Sequence, residues 1–554
     1  MRAGKAKSDL DLARLDPPGS TDSGAWRRAA KPALSWAAGG LLAGILVTLL
    51  DPVGNPTQGL PAYLLLGGVA GLAAWAARRA LGAGPLPRAL SVALGLAFAL
   101  RIGVGVALAH ALPRYGYDRE AQNAGYVYQD AWLRDKDAWD LGRSDRPLVE
   151  AFTAPQSSDQ YGGLLWLSAG IYRFLSAGIQ QPLMIVLLSA TAGAVAVWFG
   201  WGFASMAFGG RAGMLAAWVM ALYPDSVLLG ASQMREPFII AGLSLALFGY
   251  ARTRTGAIRP GLVQVLSGSL IALVISPPSA LMILVLVGVA WVWEGRLRPG
   301  WGLGWPIAVG IVALVLTLAA WSAVTGVGGG NPLALVGNWL TEGAEYQLTL
   351  LEQGSGWAQK LFDLTPAWAH APMATVYGLT RPLLPASLAD NSGATLWQVI
   401  GIWRGLGWFV LHPFLIYAGL AAVRSGGWRR LELYLAIAFW LAAILVSYRA
   451  AGDDWDNPRY RATLIPLMAS LAAWGWWHAR QSKSVWLRRT LTVYLGANLL
   501  LAHWFIGRYY HTPRLSLEAT LAAMAAFVVV YLGVAILRDG GSARRRLTVS
   551  TPEV

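Results

Sequence analysis

The chain has 554 residues, 56% of them hydrophobic and only 13% charged, with a formal net charge of +15. A water-soluble domain carries about 25% charged residues, so this composition excludes an ordinary soluble domain and fits a multi-span membrane protein. Cysteine is absent and the six histidines are scattered, which removes disulfides, thiolate nucleophiles and Cys- or His-built metal centres; any metal would be hard and oxygen-bound.

Residues 1–31 are polar and read as a disordered cytoplasmic tail. Fourteen apolar segments follow, each long enough to cross a bilayer or nearly so: 33–50, 62–77, 89–112, 182–206, 212–228, 237–251, 261–276, 280–294, 304–324, 402–422, 431–448, 462–478, 490–506 and 516–537. The expected fold class is all-α, a polytopic helical bundle of about fourteen spans, because only helices and closed barrels cross a membrane and no period-2 strand pattern occurs. The junctions after even-numbered segments are rich in Arg and Lys, for example Arg252/Arg254/Arg259 and Arg480/Lys483/Arg488/Arg489. Basic residues collect in cytoplasmic loops, so both termini are expected in the cytoplasm and the chain in the cell membrane. The same rule explains the net charge without nucleic acid as a partner. The 28 tryptophans suit side chains that anchor at bilayer interfaces.

Two segments on the expected outer side, 113–181 and 325–401, are too long to be mere connectors. Helix-like patches at 126–141, 164–175 and 333–351 predict short amphipathic helices at the membrane surface. Residues 113–160 hold nine of the 29 carboxylates against six bases, opposite in sign to the whole chain. On a helix Asp130 and Asp137 share a face, with Arg134 between them, and Trp132 and Trp139 repeat that spacing. Most of these acids read as a solvated loop surface. Asp130 stands out because it follows the aromatic run GYVYQ and opens the amphipathic segment.

Transfer of a sugar from a lipid phosphate suits this inventory. A phosphate leaving group needs cations rather than a proton, and the planar fork of Arg matches its oxygens. The acceptor hydroxyl needs a base, which a carboxylate supplies. Asp130 is the first candidate, with Asp118, Glu120, Asp135 and Asp137 in reserve. Candidate donor-phosphate ligands are Arg381 in YGLTRPLLP, Arg459 and Arg461 in DNPRYRATLIP, and Arg235 in MREP. Each has an ordinary alternative: local pairing for Arg235, snorkelling for Arg381, and flanking charge for Arg459 and Arg461. A metal, if one takes part, would be a divalent cation held by two of the carboxylates.

LGLAFALRIGV with its internal Arg101, the acidic first loop, ALYP…GAS…REPF, the break at SPPSA and the RYR…P element together resemble the GT-C superfamily of integral membrane glycosyltransferases. The branch is the broad one that holds protein O-mannosyltransferases, aminoarabinose transferases and RgtA/B/C/D-like enzymes. The resemblance covers roughly 89–480. It implies a polyprenyl-phosphate sugar donor, an acceptor hydroxyl at the outer face, and a catalytic Asp in the first loop, where Asp130 is the nearest match. It divides the chain into a catalytic module at 89–480, two-span extensions at 32–88 and 481–537, and a basic cytoplasmic tail at 538–554. The partners implied are the lipid-linked donor, membrane lipids and an acceptor whose nature is open. A transporter or flippase for lipid-linked saccharides, or a non-catalytic scaffold, is the alternative. A flippase would place charges along the middle of several spans, whereas Arg101 is the clear mid-span charge here.

Overall fold

The computed structural model describes residues 23–549, apart from 54–55, 83–86, 154–158, 296–303, 326–331, 353–361, 364 and 392. Among the described residues every regular element is a helix. In chain order these are α1 (Ser23–Leu50), α2 (Pro56–Leu81), α3 (Arg88–Tyr115), α4 (Glu120–Asn123), α5 (Gln129–Arg143), α6 (Glu150–Thr153), α7 (Gly163–Phe174), α8 (Leu183–Phe208), α9 (Gly210–Leu222), α10 (Pro224–Gly230), α11 (Glu236–Arg254) and α12 (Ile258–Ile275). The second half holds α13 (Pro277–Trp293), α14 (Gly304–Thr325), α15 (Pro332–Glu352), α16 (Ala367–Thr380), α17 (Leu384–Ala389), α18 (Thr395–Arg424), α19 (Leu431–Ala450), α20 (Asp456–Ala462), α21 (Ile465–Ser482), α22 (Val485–Tyr509) and α23 (Leu517–Val549).

Each of the fourteen expected apolar segments is helical, but length and composition qualify only eight helices as spans, or nine if the bent pair α9–α10 counts as one. Several others fall short for identifiable reasons. Pro277–Trp293 is apolar but shorter, and α11 carries Glu236, Arg252 and Arg254 at its ends. The chain is a multi-pass membrane protein, with eight or nine clear spans among the described residues. Helix α1 begins at Ser23, and α23 runs through Arg544–Arg546 to Val549, since Arg is a good helix former. Residues 1–22 and 550–554 lie outside the described residues. The three predicted amphipathic patches are the helices α5, α7 and α15.

Helix α11 packs between α8 and α12, and α21 packs against α9 and α18. In lipid, helices associate by close backbone approach, which small residues allow. A Cβ on Gly242 would lie 2.6 Å from the Gly268 carbonyl oxygen, so α11 and α12 touch there only because both residues are glycine.

The bend between α9 and α10, 56°, has a local cause. Pro224 has no N–H to continue the helix, so α9 stops at Leu222 and leaves carbonyls without intrahelical donors. Arg101 of α3 takes them: Nη2 donates to the Met220 carbonyl at 3.2 Å and to Ser226 Oγ at 2.9 Å, and Nη1 donates to the carbonyls of Ala97 at 2.8 Å and Ala221 at 3.4 Å. Both terminal nitrogens of the mid-span Arg are thus tied by protein acceptors, while its Nε is buried without one. It holds a broken helix open so that Asp225, in the first turn of α10, points at α18.

Candidate active site

Four carboxylates sit in the first turns of helices: Asp130 in α5, Asp225 in α10, Glu236 in α11 and Asp456 in α20. Each helix N-terminus carries partial positive charge that favours an acid there. These four first turns meet two arginines. Arg459, 4% exposed, donates from Nε to Glu236 Oε1 at 2.7 Å, and from Nη1 to Asp130 Oδ2 at 2.9 Å and Asp456 Oδ1 at 3.3 Å. Arg404 of α18 donates from Nε to Asp225 Oδ1 at 2.6 Å and lies 4.2 Å from the Trp455 ring centroid.

Both arginines border a cavity of about 710 Å³ lined also by Asp130, Arg381, Arg119, Tyr117, Tyr128, Trp397, Asp454, Trp455 and Asp456. Arg381 reaches it from the end of α16, paired with Asp454 Oδ1 at 2.7 Å and bonded to the Gly452 carbonyl at 3.2 Å. Tyr117 and Trp397 stack at 6.2 Å, with their planes 7° apart, and Gln122 Oε1 accepts hydrogen bonds from both the Tyr117 amide and the Trp397 indole. These contacts fasten the first loop to α18. The cavity wall is therefore built jointly by the two long loops, α18, α20 and the end of α22.

Asp130 has half its side chain exposed, 49%, and only Oδ2 is hydrogen-bonded. Burial alone would raise its pKa, but the charge and hydrogen bond of Arg459, helped by Arg134 and Arg235, hold it below the usual carboxylate range. It is ionised at neutral pH. Asp456 goes the other way. Burial, with the neighbouring charges of Asp453, Asp130 and Glu236, pushes it up to about 6 despite Arg459.

Two of the four expected arginines, Arg381 and Arg459, line the cavity with Asp130, and two do not. Arg461 is fully buried. Its guanidinium lies 3.7 Å from the Trp408 centroid and donates to the carbonyls of Gly378, Leu379 and Arg381. It neutralises the open C-terminus of α16, the favoured place for a cation, and so fixes the backbone that presents Arg381. Arg235 pairs with Asp159 at 3.5 Å and lies 5.2 Å from the Tyr161 centroid, so its partner is an acid of the first long loop and not a sequence neighbour.

None of the reserve acids lines the cavity. Asp118 accepts from Asn123 Nδ2 at 2.8 Å on the exposed surface, Glu120 opens the four-residue α4, and Asp137 lies on another part of α5. Asp135 is fully buried and accepts from Tyr126 at 2.7 Å, Gln233 at 2.7 Å, Gln180 at 2.5 Å and Tyr172. It anchors the helix that carries Asp130. Arg404 and Asp456 are the site residues that sequence reasoning missed. Asp225, Glu236 and Asp456 each lie within two residues of a proline, and that acid–proline helix start is the signal that could have found them.

No protein-family profile matches the chain, and no curated protein does. Solved structures with a similar backbone include the archaeal oligosaccharyltransferase AglB from Archaeoglobus fulgidus in complex with an inhibitory peptide and a dolichol-phosphate, at 13% identity and a TM-score of 0.40, over 80% of this chain and 54% of that one. Another is the Archaeoglobus fulgidus oligosaccharyltransferase tethered to an acceptor peptide, at 11% identity and a TM-score of 0.37, over 80% of this chain and 53% of that one. The chain spans about half the length of these proteins, and a likeness this distant fixes no residue role.

Proposed function

We propose that the chain is a membrane glycosyltransferase of the GT-C type that moves a sugar from a polyprenyl-phosphate donor to an acceptor hydroxyl at the outer face of the membrane. One observation carries this reading: Asp130 of the first long loop shares a single cavity with Arg381, Arg404 and Arg459, which come from three other parts of the chain. The volume falls in the range of about 300–1,000 Å³ typical of small-molecule sites.

Arg381 and Arg404 face the donor phosphate. The leaving phosphate gains negative charge as the sugar–oxygen bond breaks, and fixed guanidinium groups in a walled cavity stabilise that charge without reorganising. Arg404 is suited to this because it lines the cavity beside Arg381 while Asp225 holds its Nε. Asp130 accepts the proton of the attacking hydroxyl. Its lowered pKa makes it a modest base but keeps it ionised and ready to orient the hydroxyl throughout the neutral range. The outer-face placement rests on the alternation of basic loops along the sequence.

The test is transfer by the purified protein in proteoliposomes, offered a panel of labelled polyprenyl-phosphate sugars together with extracted envelope lipids, glycans and proteins as acceptors. Label moving from one donor into an acceptor supports the reading. A folded protein that moves label from no donor contradicts it.

A further inference from the structure

The resemblance to glycosyltransferases leaves open whether a divalent cation assists the leaving phosphate, and the arrangement around Arg459 answers it. Oxygens of Asp130, Glu236 and Asp456, from three helix starts far apart in sequence, surround one guanidinium, Glu236 at Nε and the two Asp oxygens at Nη1. Arg459 donates hydrogen bonds of 2.7, 2.9 and 3.3 Å to Glu236, Asp130 and Asp456, with Nη1 shared between the last two. Among the described residues, no three His, Asp or Glu side chains are grouped to hold a metal, these three included. A divalent ion could reach these oxygens at about 2.0–2.6 Å only by displacing Arg459. That side chain is almost fully buried and also lies near the rings of Tyr128 and Tyr460, at 5.8 and 5.3 Å. The residues therefore do not fit a metal.

We infer that Arg459 is the built-in cation of this site, standing where a divalent metal would otherwise sit, and that the protein works without one. This reassigns Arg459 from donor-phosphate ligand to the group that neutralises and positions Asp130. Three carboxylates already surround it, so it has little positive charge left to offer a phosphate, and that task falls to Arg381 and Arg404. A second detail supports the assignment. Glu236 Oε2 is buried with no hydrogen-bond partner, so the carboxylate cluster exceeds what one guanidinium can satisfy. Removing Arg459 would leave three carboxylates without their shared cation, so that a divalent ion is the natural replacement.

The turnover part of this inference rests on the glycosyltransferase reading; the metal-binding part does not. The experiment measures Mn²⁺ binding to the metal-stripped, full-length protein by calorimetry and electron paramagnetic resonance. It compares wild type, Arg459→Ala, and Arg459→Ala combined with Asp130→Asn. Wild type is expected to bind no Mn²⁺ at this site. Arg459→Ala is expected to gain a site and to be stabilised against heat by Mn²⁺, and the added Asp130→Asn to abolish that gain. Once a donor is identified, wild-type turnover is expected to be unchanged by excess chelator.

Mn²⁺ binding to wild type that Asp130→Asn removes would overturn the inference, whether or not any donor is found. Loss of turnover in chelator, restored by Mn²⁺ or Mg²⁺, would do the same while leaving the glycosyltransferase reading intact. A folded Arg459→Ala protein that gains no Mn²⁺ would also refute it. If that variant does not fold, Arg459→Ala with Glu236→Gln removes one stranded buried charge, and the wild-type measurement decides in any case.

Discussion

Replacing Arg404 by Met separates structure from function at the cavity wall. Arg404 and Asp225 are 3% and 1% exposed and lie 2.6 Å apart. Asp225 Oδ2 and Arg404 Nη2 are both buried without other partners, so neither group has a substitute when its mate is removed. Stranding one charge of a buried pair costs ~3–5 kcal/mol, and the lost contact with Trp455, at 4.2 Å, adds ~0.5–2 kcal/mol. Arg404→Met should therefore sharply lower stability in detergent, read as the shift in chemical or thermal unfolding. Asp225→Leu combined with Arg404→Met replaces both charges with apolar groups and should recover most of the loss. Donor binding should not recover, because the double variant still lacks the phosphate-facing guanidinium. A single variant costing under ~1 kcal/mol would refute the buried pair, since that is the worth of an exposed one. Full activity in the double variant would reduce Arg404 to a structural role.

The two carboxylates predict different pH profiles. With Asp130 as base the rate stays level from neutral pH down into the ordinary carboxylate range; an acid limb near 6 that disappears in Asp456→Asn would move the role to Asp456. For stability, Asp456 is protonated in the fold and ionised in the unfolded chain between its ordinary 3.8 and about 6, so its contribution falls as pH rises through that window; Asp456→Asn should flatten this part of a pH–stability curve. Asp135→Asn places an amide against four donors and should cost ~1–3 kcal/mol for each donor left unpaired, with proteolysis first appearing in α5. Labelling with an impermeant thiol reagent in intact cells should mark Asn123→Cys and not Ser482→Cys, and the opposite pattern would invert the proposed topology.

Helix content and the positions of the apolar segments were legible because hydrophobic run length is a direct demand of the bilayer. Run length does not show which helices start at prolines or end in charges, as α13 and α11 do. Asp130 was legible from its setting at the start of an amphipathic helix beside aromatics. Arg381 and Arg459 were legible as expected outer-side arginines, but Arg461, two residues from Arg459, faces the other way on the short helix α20 and caps α16 instead. Arg404 was hidden because the apolar run seemed to begin at residue 402, whereas α18 starts at Thr395 and its first turns wall the cavity. Asp456 was passed over because its significance comes from a fold-dependent meeting with Asp130 and Glu236, which no spacing within one segment encodes.

The most direct test of the central claim is to measure turnover and donor affinity together on purified wild type and Asp130→Asn. Asn keeps the size of the side chain and much of its hydrogen bonding but cannot take a proton. The account predicts a turnover loss of about 10²–10⁴-fold, the usual contribution of a general base, with donor affinity essentially unchanged. Near-normal turnover in Asp130→Asn, in a sample that binds donor as wild type does, would contradict it.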